Sequence, residues 1–191
     1  MAENKRIQLI DAAIDVIREN GFEATSVSQI VQKAGVAQGT FYLYFQTKNE
    51  LIPSIAERVF DEQLSRIQVD VANEPDSIDD LLEPLINITY DVTAEYRELI
   101  TFIYSGLAFY HSFVRWEMIY TPYYDWLKEK YAFLQEKGKL HQDIPLDYLA
   151  NYTVGFIEHA AESYYLSNTL SENAKESKKQ CYTFLRKALH E

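Results

Sequence analysis

The spacing of apolar residues near the N-terminus is the feature that most limits the fold of this chain. Isoleucines recur at intervals of three and four, at Ile7, Ile10, Ile14 and Ile17. This spacing is that of one face of an α-helix, and Gly21 follows it as a typical left-handed helix end. Two shorter helices are predicted next, one ending at Gly35 and one over roughly 37–44. Three short helices with a glycine turn between the last two predict a helix-turn-helix.

Two further patterns predict where helices begin. Ser26 is followed three residues later by Gln29, and Thr47 is followed by Glu50, both capping-box patterns. A fourth helix is therefore expected to begin at Thr47. Pro53 lies within it, and because proline removes a backbone donor and crowds the preceding turn, we expect a kink near residues 49–53.

The rest of the chain also has helical patterns, and no segment shows convincing strand alternation. Further helices are predicted at about 77–95, 97–119, 122–137, 146–168 and 171–190. Pro122 is expected in the first turn of its helix, where its missing donor is harmless. The fold class is thus all-α with about nine helices: a three-helix N-terminal domain and a larger helical C-terminal domain.

The charge distribution keeps nucleic acid open as a partner. The whole chain has a net charge of −11, but residues 1–50 carry five basic and six acidic residues and residues 51–191 carry the remaining −10. The acidity therefore belongs to the larger part. The single cysteine, Cys181, suits a reducing compartment. No signal peptide is apparent, and the longest uncharged stretch, 99–114, is shorter than the roughly 20 residues a membrane span needs. We expect a cytoplasmic protein without membrane contact.

An enzyme is the first alternative. Glu158 and Glu162 share a helix face beside His159, but a carboxylate-bridged metal site in a bundle needs Glu-x-x-His on two helices. The sequence has no phosphate-binding loop and no hydrolase motif. We therefore expect no catalytic residues, no metal and no cofactor.

The segment "AQGTFYLYF", residues 37–45, is the predicted second helix of the helix-turn-helix, which in such motifs lies in the major groove. Phe41 and Phe45 are four residues apart and are expected in the core. Gln38 and Tyr42 then share another face, where an amide could pair with adenine and a hydroxyl with phosphate. The alternative is that all the aromatics are core and Gln38 is an ordinary surface residue.

Residues 21–51, "GFEATSVSQIVQKAGVAQGTFYLYFQTKNEL", resemble the DNA-binding signature of the TetR-type (tetracycline-repressor-like) transcriptional regulators. The pattern matched is roughly G-[FY]-x-x-T-[ST]-V-x-x-I-A-x-x-A-G-V-[SA]-x-G-[TS]-x-Y-x-Y-F-x-x-K-x-x-L. The resemblance implies DNA contacts by Gln38, Gly39, Thr40, Tyr42, Tyr44 and Lys48.

Two positions depart from the family pattern. Gln38 stands where a basic residue is frequent, and Ala37 stands where a serine is common and could cap the third helix. Both imply fewer phosphate contacts in each subunit. Because each neutralised phosphate contributes about 0.9 to the salt dependence of binding, we predict a shallow dependence.

The resemblance also implies a ligand cavity in the larger domain, and twelve aromatic residues fall within residues 102–133. The candidate lining residues are Phe109, Tyr110, Phe113, Glu117, Tyr120, Tyr124, Tyr152, Phe156 and His159. Aromatic rings with a carboxylate favour a lipophilic cation. A neutral hydrophobic ligand or an acyl chain remains an alternative.

The resemblance further implies a homodimer, with helices 146–168 and 171–190 paired across a two-fold axis. Both helices carry apolar stripes with small residues that allow close packing. The stripe residues are Leu149, Tyr152, Gly155, Phe156, Ala160 and Ala161 on the first helix and Ala174, Cys181, Phe184, Leu185 and Ala188 on the second. Two-fold symmetry would place two recognition helices on a palindromic double-stranded operator.

The resulting hypothesis is a DNA-binding regulator, a repressor of an adjacent gene that a small hydrophobic or aromatic effector releases from its operator. The predicted domains are 1–47 for DNA binding and 48–191 for ligand binding and dimerisation, with helix 47–68 as connector. The second alternative is a helix-turn-helix protein that uses this surface only for protein contacts.

Overall fold

The computed structural model describes residues 2–71, 74–107, 113–167 and 173–189. In these ranges the chain forms nine α-helices and one 3-10 turn, Lys48–Glu50, and no strand. The helices are α1 (Ala2–Asn20), α2 (Val27–Ala34), α3 (Gln38–Tyr42), α4 (Leu51–Asp70), α5 (Asp79–Glu95), α6 (Arg97–Leu107), α7 (Phe113–Glu136), α8 (Leu146–Tyr165) and α9 (Ala174–Leu189). The predicted all-α class is confirmed. None of the helices in these ranges is long and apolar enough to span a membrane.

The chain divides into two compact units. The first contains Met1–Val59 and Tyr96–Trp116, and the second contains Phe60–Glu95 and Glu117–Glu191. The division falls inside α4 and α7, so that α6 belongs to the first unit. The boundary at residue 47 remains a prediction about function.

In the first unit, α1 packs against α2, and α2 against α3. The inward side chains of α1, among them Leu9 and Ile17, are fully buried, as is Ile30 of α2. The predicted capping box is present: the Ser26 hydroxyl accepts from the backbone N–H of Gln29, and the Gln29 side chain accepts from that of Ser26. The start of α2, where the turn from α1 ends, is thereby fixed.

The start of the fourth helix differs from the prediction. Thr47 makes no capping hydrogen bond, and the Glu50 carboxylate accepts from the backbone N–H of Gln46 at 2.8 Å. A 3-10 turn comes first, and α4 begins at Leu51, so Pro53 is its third residue. The first N–H groups of a helix have no intrahelical acceptor, so proline costs nothing there, and the reason for a kink at Pro53 disappears.

The core of the second unit is built mainly by α5, α7, α8 and α9, with α4 contributing Ile67. Tyr90 and Tyr131 are fully buried within it. The predicted break between helices 97–119 and 122–137 is wrong, because α7 is continuous from Phe113 through Pro122 to Glu136. Pro122 removes the hydrogen bond to the carbonyl of Met118, and both residues are exposed, so water can solvate that carbonyl.

Candidate functional site

The third helix holds its two phenylalanines inward and its polar residues outward. Phe41 is fully buried and Phe45 nearly so, with ring centroids 5.5 Å apart, which confirms their predicted place in the core. Gln38 and Gly39 are exposed, and Thr40 is half-buried. Ala37 at the N-cap provides no side-chain hydrogen bond, as its departure from the family pattern predicts. The outward start of this short helix is therefore open to a partner.

Gly39 has no structural reason within the protein to be glycine. A Cβ at this position would meet no heavy atom within 4 Å, and its φ is not in the left-handed region. Glycine inside a helix costs about 1 kcal/mol relative to alanine. Alanine at position 39 would therefore stabilise the fold more than glycine does. The absence of a side chain leaves space on the outer surface of α3 for a partner to approach.

The residues that follow extend the same surface. Tyr42 is 52% exposed and Leu43 is 79% exposed, while Tyr44 is half-buried. The sequence analysis did not single out Leu43. The one sequence feature that could have indicated Leu43 is its position between Tyr42 and Tyr44, two predicted DNA contacts. It lies directly after the last residue of α3.

Lys48 is held largely by the protein itself. Its Nζ donates to the backbone carbonyls of Phe22 at 2.7 Å and Thr25 at 2.8 Å. It also lies 3.9 Å from the centroid of the Phe22 ring, which stacks on Phe102 of α6. An ammonium group has three donors, so one remains for a phosphate. The predicted DNA contact stays a prediction, and Lys48 also fixes the turn that joins α1 to α2.

Most of the other positive charge of residues 1–50 is likewise engaged within the first unit. Arg6 donates to the Ser54 hydroxyl at 2.6 Å, and Lys33 pairs with Asp15 and Glu19 across α1 and α2. The neighbouring carboxylates, Glu19 first, raise the pKa of Lys33. Arg18 lies 4.9 Å from the Tyr96 ring centroid. Four of the five basic side chains therefore contribute to internal contacts.

The predicted ligand residues are not all brought together. Phe109 and Tyr110 lie outside the described residues, as does the side chain of Phe113. Of the others, Glu117, Tyr152 and His159 are exposed, and Phe156 stacks on Phe184 of α9 with centroids 4.5 Å apart. Only Tyr120 and Tyr124 are joined, as stacked rings with centroids 5.6 Å apart.

Glu158, which the sequence indicates only as one of several acids interleaved with the aromatic residues and as part of an incomplete metal motif, joins these two tyrosines. The Tyr120 hydroxyl donates to its Oε2 at 2.9 Å. Its Oε1 is out of contact with solvent and has no hydrogen-bond partner in the described part of the chain. Burial, with the nearby charge of Glu162, raises the pKa of Glu158 to about 8. The position of Glu158 one residue before His159 gave no sign that its side chain points inward.

A polar network surrounds this carboxyl group. Gln63 of α4 is buried and donates to the Thr89 hydroxyl of α5 at 3.3 Å. Burial and then the charge of Glu158 raise the pKa of the buried Tyr123. Burial raises the pKa of Tyr124, with Glu117 and Glu158 adding to the effect. The second unit thus encloses a cluster of hydroxyl, amide and carboxyl groups beside aromatic rings.

The outer face of α8 and α9 is aromatic and exposed. Tyr148 and Tyr152 are 54% and 64% exposed, with ring centroids 5.8 Å apart, and Phe184 is 57% exposed. Gly155, between them in sequence, is exposed, and a Cβ there would meet no heavy atom within 4 Å.

The apolar stripes expected at the dimer seam therefore need a correction. Leu149, Ala161, Cys181 and Leu185 are buried in the core of the second unit. They face inward because each lies on the side of its helix that packs against the other helices of the unit. Within the described ranges, no three His, Cys, Asp or Glu side chains come together to hold a metal ion.

Comparison with known proteins identifies both parts of the chain. Residues 9–55 match the family model described as "Bacterial regulatory proteins, tetR family", and residues 82–189 match "Tetracyclin repressor-like, C-terminal domain". The HTH-type transcriptional regulator YvdT of Bacillus subtilis is 38% identical over 182 residues, which cover 95% of this chain and 93% of YvdT.

Two solved structures have a similar fold over nearly their whole length. The fatty acid degradation regulator FadR of Bacillus halodurans has a TM-score of 0.72 and 25% identity, covering 95% of this chain and 94% of that one. FadR of Bacillus subtilis, solved in complex with stearoyl-CoA, has a TM-score of 0.72 and 22% identity, covering 97% and 100%.

Proposed function

Because this chain belongs to the TetR family of bacterial transcriptional regulators, we propose that it represses a neighbouring gene and is released from its operator by a small hydrophobic effector. The observation that carries the DNA-binding role is the outward face of α3. Its exposed Gln38, Gly39 and Tyr42 rest on the buried rings of Phe41 and Phe45.

We assign the groups on this face by their chemistry. Gln38 offers a bidentate amide to an adenine edge, and the bare backbone of Gly39 allows close approach. Thr40 lies near the bases, and Tyr42 and Tyr44 donate to phosphates together with the remaining donor of Lys48. Leu43, exposed beside them, fits an apolar contact with a thymine methyl group.

A homodimer is the second part of the proposal. The rings of Tyr152 on α8 and Phe184 on α9 are exposed, and exposed Gly155, three residues after Tyr152, leaves room for a second backbone to approach. Exposed aromatic patches of this kind mark protein interfaces. Two copies joined by a two-fold axis would present two α3 helices to a palindromic operator. Gly155→Phe should then shift the protein to a monomer in analytical ultracentrifugation, whereas an unchanged dimer would contradict this placement.

Release by the effector follows from chain connectivity. The helix α4 begins in the first unit and ends in the second. An effector that prefers one arrangement of the second unit would displace α4, and it can shift the equilibrium only by its differential affinity for the two states. The stearoyl-CoA complex of FadR makes an acyl-CoA one candidate effector.

The test is the substitution Gly39→Ala, measured on fluorescently labelled duplex from the protein's own upstream region. Alanine should raise the free energy of unfolding by about 0.5–1 kcal/mol, because helix α3 gains a better helix former. The same change should weaken operator binding, because the added methyl group meets the DNA backbone. Tyr42→Phe serves as the matched control, since it removes one hydroxyl and should weaken binding to all sequences by about 1 kcal/mol.

The engagement of basic side chains in internal contacts favours one alternative, a helix-turn-helix that binds protein rather than DNA. The same experiment separates the two. Salt-dependent binding to upstream DNA supports the regulator, and its complete absence for the wild-type protein at low salt would leave the protein-contact role standing.

A further inference from the structure

The side chain of Glu158 is half-buried, and the DNA-binding role does not explain why its carboxyl group lies inside the second unit. Its Oε1 has no contact with solvent and no hydrogen-bond partner among the described residues. A buried charged or polar group without a partner is unfavourable for folding. The tyrosine bond to Oε2 satisfies only half of the carboxyl group.

The tyrosine that bonds this carboxyl group, Tyr120, packs between two other aromatic rings. The Tyr120 ring has its centroid 4.4 Å from that of Phe60 and 5.6 Å from that of Tyr124, with the two tyrosines nearly parallel. The ring faces carry negative electrostatic potential and attract cations within about 6 Å of the centroid. Carboxylate and rings therefore favour the same kind of ligand.

The charges around the site have the same sign. No lysine or arginine in the described ranges forms an ion pair with Glu158, and the charged neighbour that acts on it is Glu162. Glu117 and Glu158 both act on Tyr124. The amide of Gln63 on α4, which lowers the pKa of Glu158 slightly against the effect of burial, is neutral. When Glu158 is ionised, it therefore has no positively charged partner among the described residues.

We propose that Glu158 is the recognition group for the effector, and that the effector is an organic cation whose apolar substituents contact Phe60, Tyr120 and Tyr124. This inference rests on the proposed ligand-responsive regulator and specifies the chemical class of its ligand. An acyl-CoA fits this position poorly, because an acyl chain and its thioester have no donor for Oε1 and its phosphates add negative charge.

Binding of a cation by Glu158 should depend on pH. The groups that interact with Glu158 are Gln63 from α4, three tyrosines of α7 and Glu162 on α8, with exposed His159 adjacent in sequence. The tyrosines are Tyr120, Tyr123 and Tyr124. Because the pKa of Glu158 is raised to about 8, a cation must displace its proton at lower pH. Affinity should therefore rise by about tenfold for each pH unit up to pH 8.

The experiment is isothermal titration calorimetry on the purified full-length protein. The probes are tetraphenylphosphonium, ethidium and benzyltrimethylammonium, which differ in size and keep their charge at every pH used. Tetraphenylborate, an anion of the same shape as the first probe, and stearoyl-CoA are the contrasting ligands. Glu158→Gln removes the charge, Glu158→Asp keeps it, and Glu129→Gln removes an exposed acid from α7 as the matched control.

We expect at least one cation to bind the wild type at pH 8.5, with affinity lower by tenfold or more in Glu158→Gln and unchanged in Glu129→Gln. Glu158→Asp should retain part of the affinity, and Glu158→Gln should lose the pH dependence. The inference is overturned if no cation binds, if Glu158→Gln binds like the wild type, or if tetraphenylborate binds equally well. Circular dichroism establishes that each variant is folded.

Operator binding measured in parallel keeps this inference separate from the proposed function. A protein that binds its upstream DNA but none of the cations overturns only the assignment of Glu158. A protein that binds cations through Glu158 but no DNA overturns the regulator and leaves this site in place.

Discussion

The buried carboxyl group of Glu158 should make the protein less stable as the pH rises from 5 to 8.5. Its pKa is raised from 4.5 to about 8, chiefly by burial, so the folded protein keeps a proton that the unfolded chain releases. Unfolding therefore releases close to one proton between these two values, and stability falls with pH. The favourable contribution of Glu158 to the free energy of unfolding is fully present below pH 4.5 and is lost by about pH 8.

The size of the effect follows from the same two values. Each pH unit in this range lowers the free energy of unfolding by about 1.4 kcal/mol, and the whole range by at most about 5 kcal/mol. A domain of this kind has only about 5–15 kcal/mol of stability, so the effect is large enough to measure. The substitution Glu158→Gln removes the titrating group and keeps an oxygen that can accept from Tyr120.

The assay is urea unfolding followed by circular dichroism, at one protein concentration because a dimer's stability depends on it. Wild type and Glu158→Gln should be similar at pH 5, where the carboxyl group is neutral in the folded protein. At pH 8.5 the variant should be more stable by several kcal/mol. The difference between the free energies of unfolding of the two proteins at each pH cancels the contributions of the other titrating groups. A difference that does not change with pH would refute the burial of this carboxyl group.

Three further predictions concern the first unit and the thiol. Lys48→Met should lower the free energy of unfolding by about 1–3 kcal/mol through loss of its two carbonyl contacts; unchanged stability with a salt slope smaller by about 0.9 would instead indicate a phosphate contact alone. Ser26→Ala should lower the free energy of unfolding, measured by thermal unfolding, by about 1 kcal/mol. Ala37→Ser supplies the missing cap of α3 and should raise the free energy of unfolding. Changes of the same sign in both variants would contradict the observed caps. Burial raises the pKa of Cys181 to about 12, so Ellman's reagent at pH 8 should react only after unfolding, and rapid reaction of the native protein would show the site to be open.

Local sequence patterns were sufficient wherever neighbours along the chain make the interaction. The capping box of Ser26 and Gln29, and the left-handed glycine at Gly35, involve residues within one or two turns of each other. The burial of Phe41 and Phe45 follows from their spacing of four on one helix. The family signature then predicted the surface of α3 as the DNA-contacting one, because it lies in one continuous stretch of sequence.

The patterns failed where two local structures compete. Thr47 and Glu50 have the spacing of a capping box, but the carboxylate bonds to Gln46 instead and a 3-10 turn precedes α4. Pro122 was expected to start a helix, yet exposure to water lets α7 continue through it. Sequence spacing cannot decide such cases, because solvent access depends on the neighbours in space.

The sequence by itself therefore determined the fold class, the N-terminal helices and the family, since these depend on local hydrogen bonds and on the helical period. Tertiary structure alone decided the contacts of Lys48 and Glu158. The Lys48 ammonium meets carbonyls 23 and 26 residues away in the chain, and Glu158 lies 38 residues from its tyrosine partner. The energy of a charged side chain depends on how much water and which partners surround it, and those are set only when distant helices pack together.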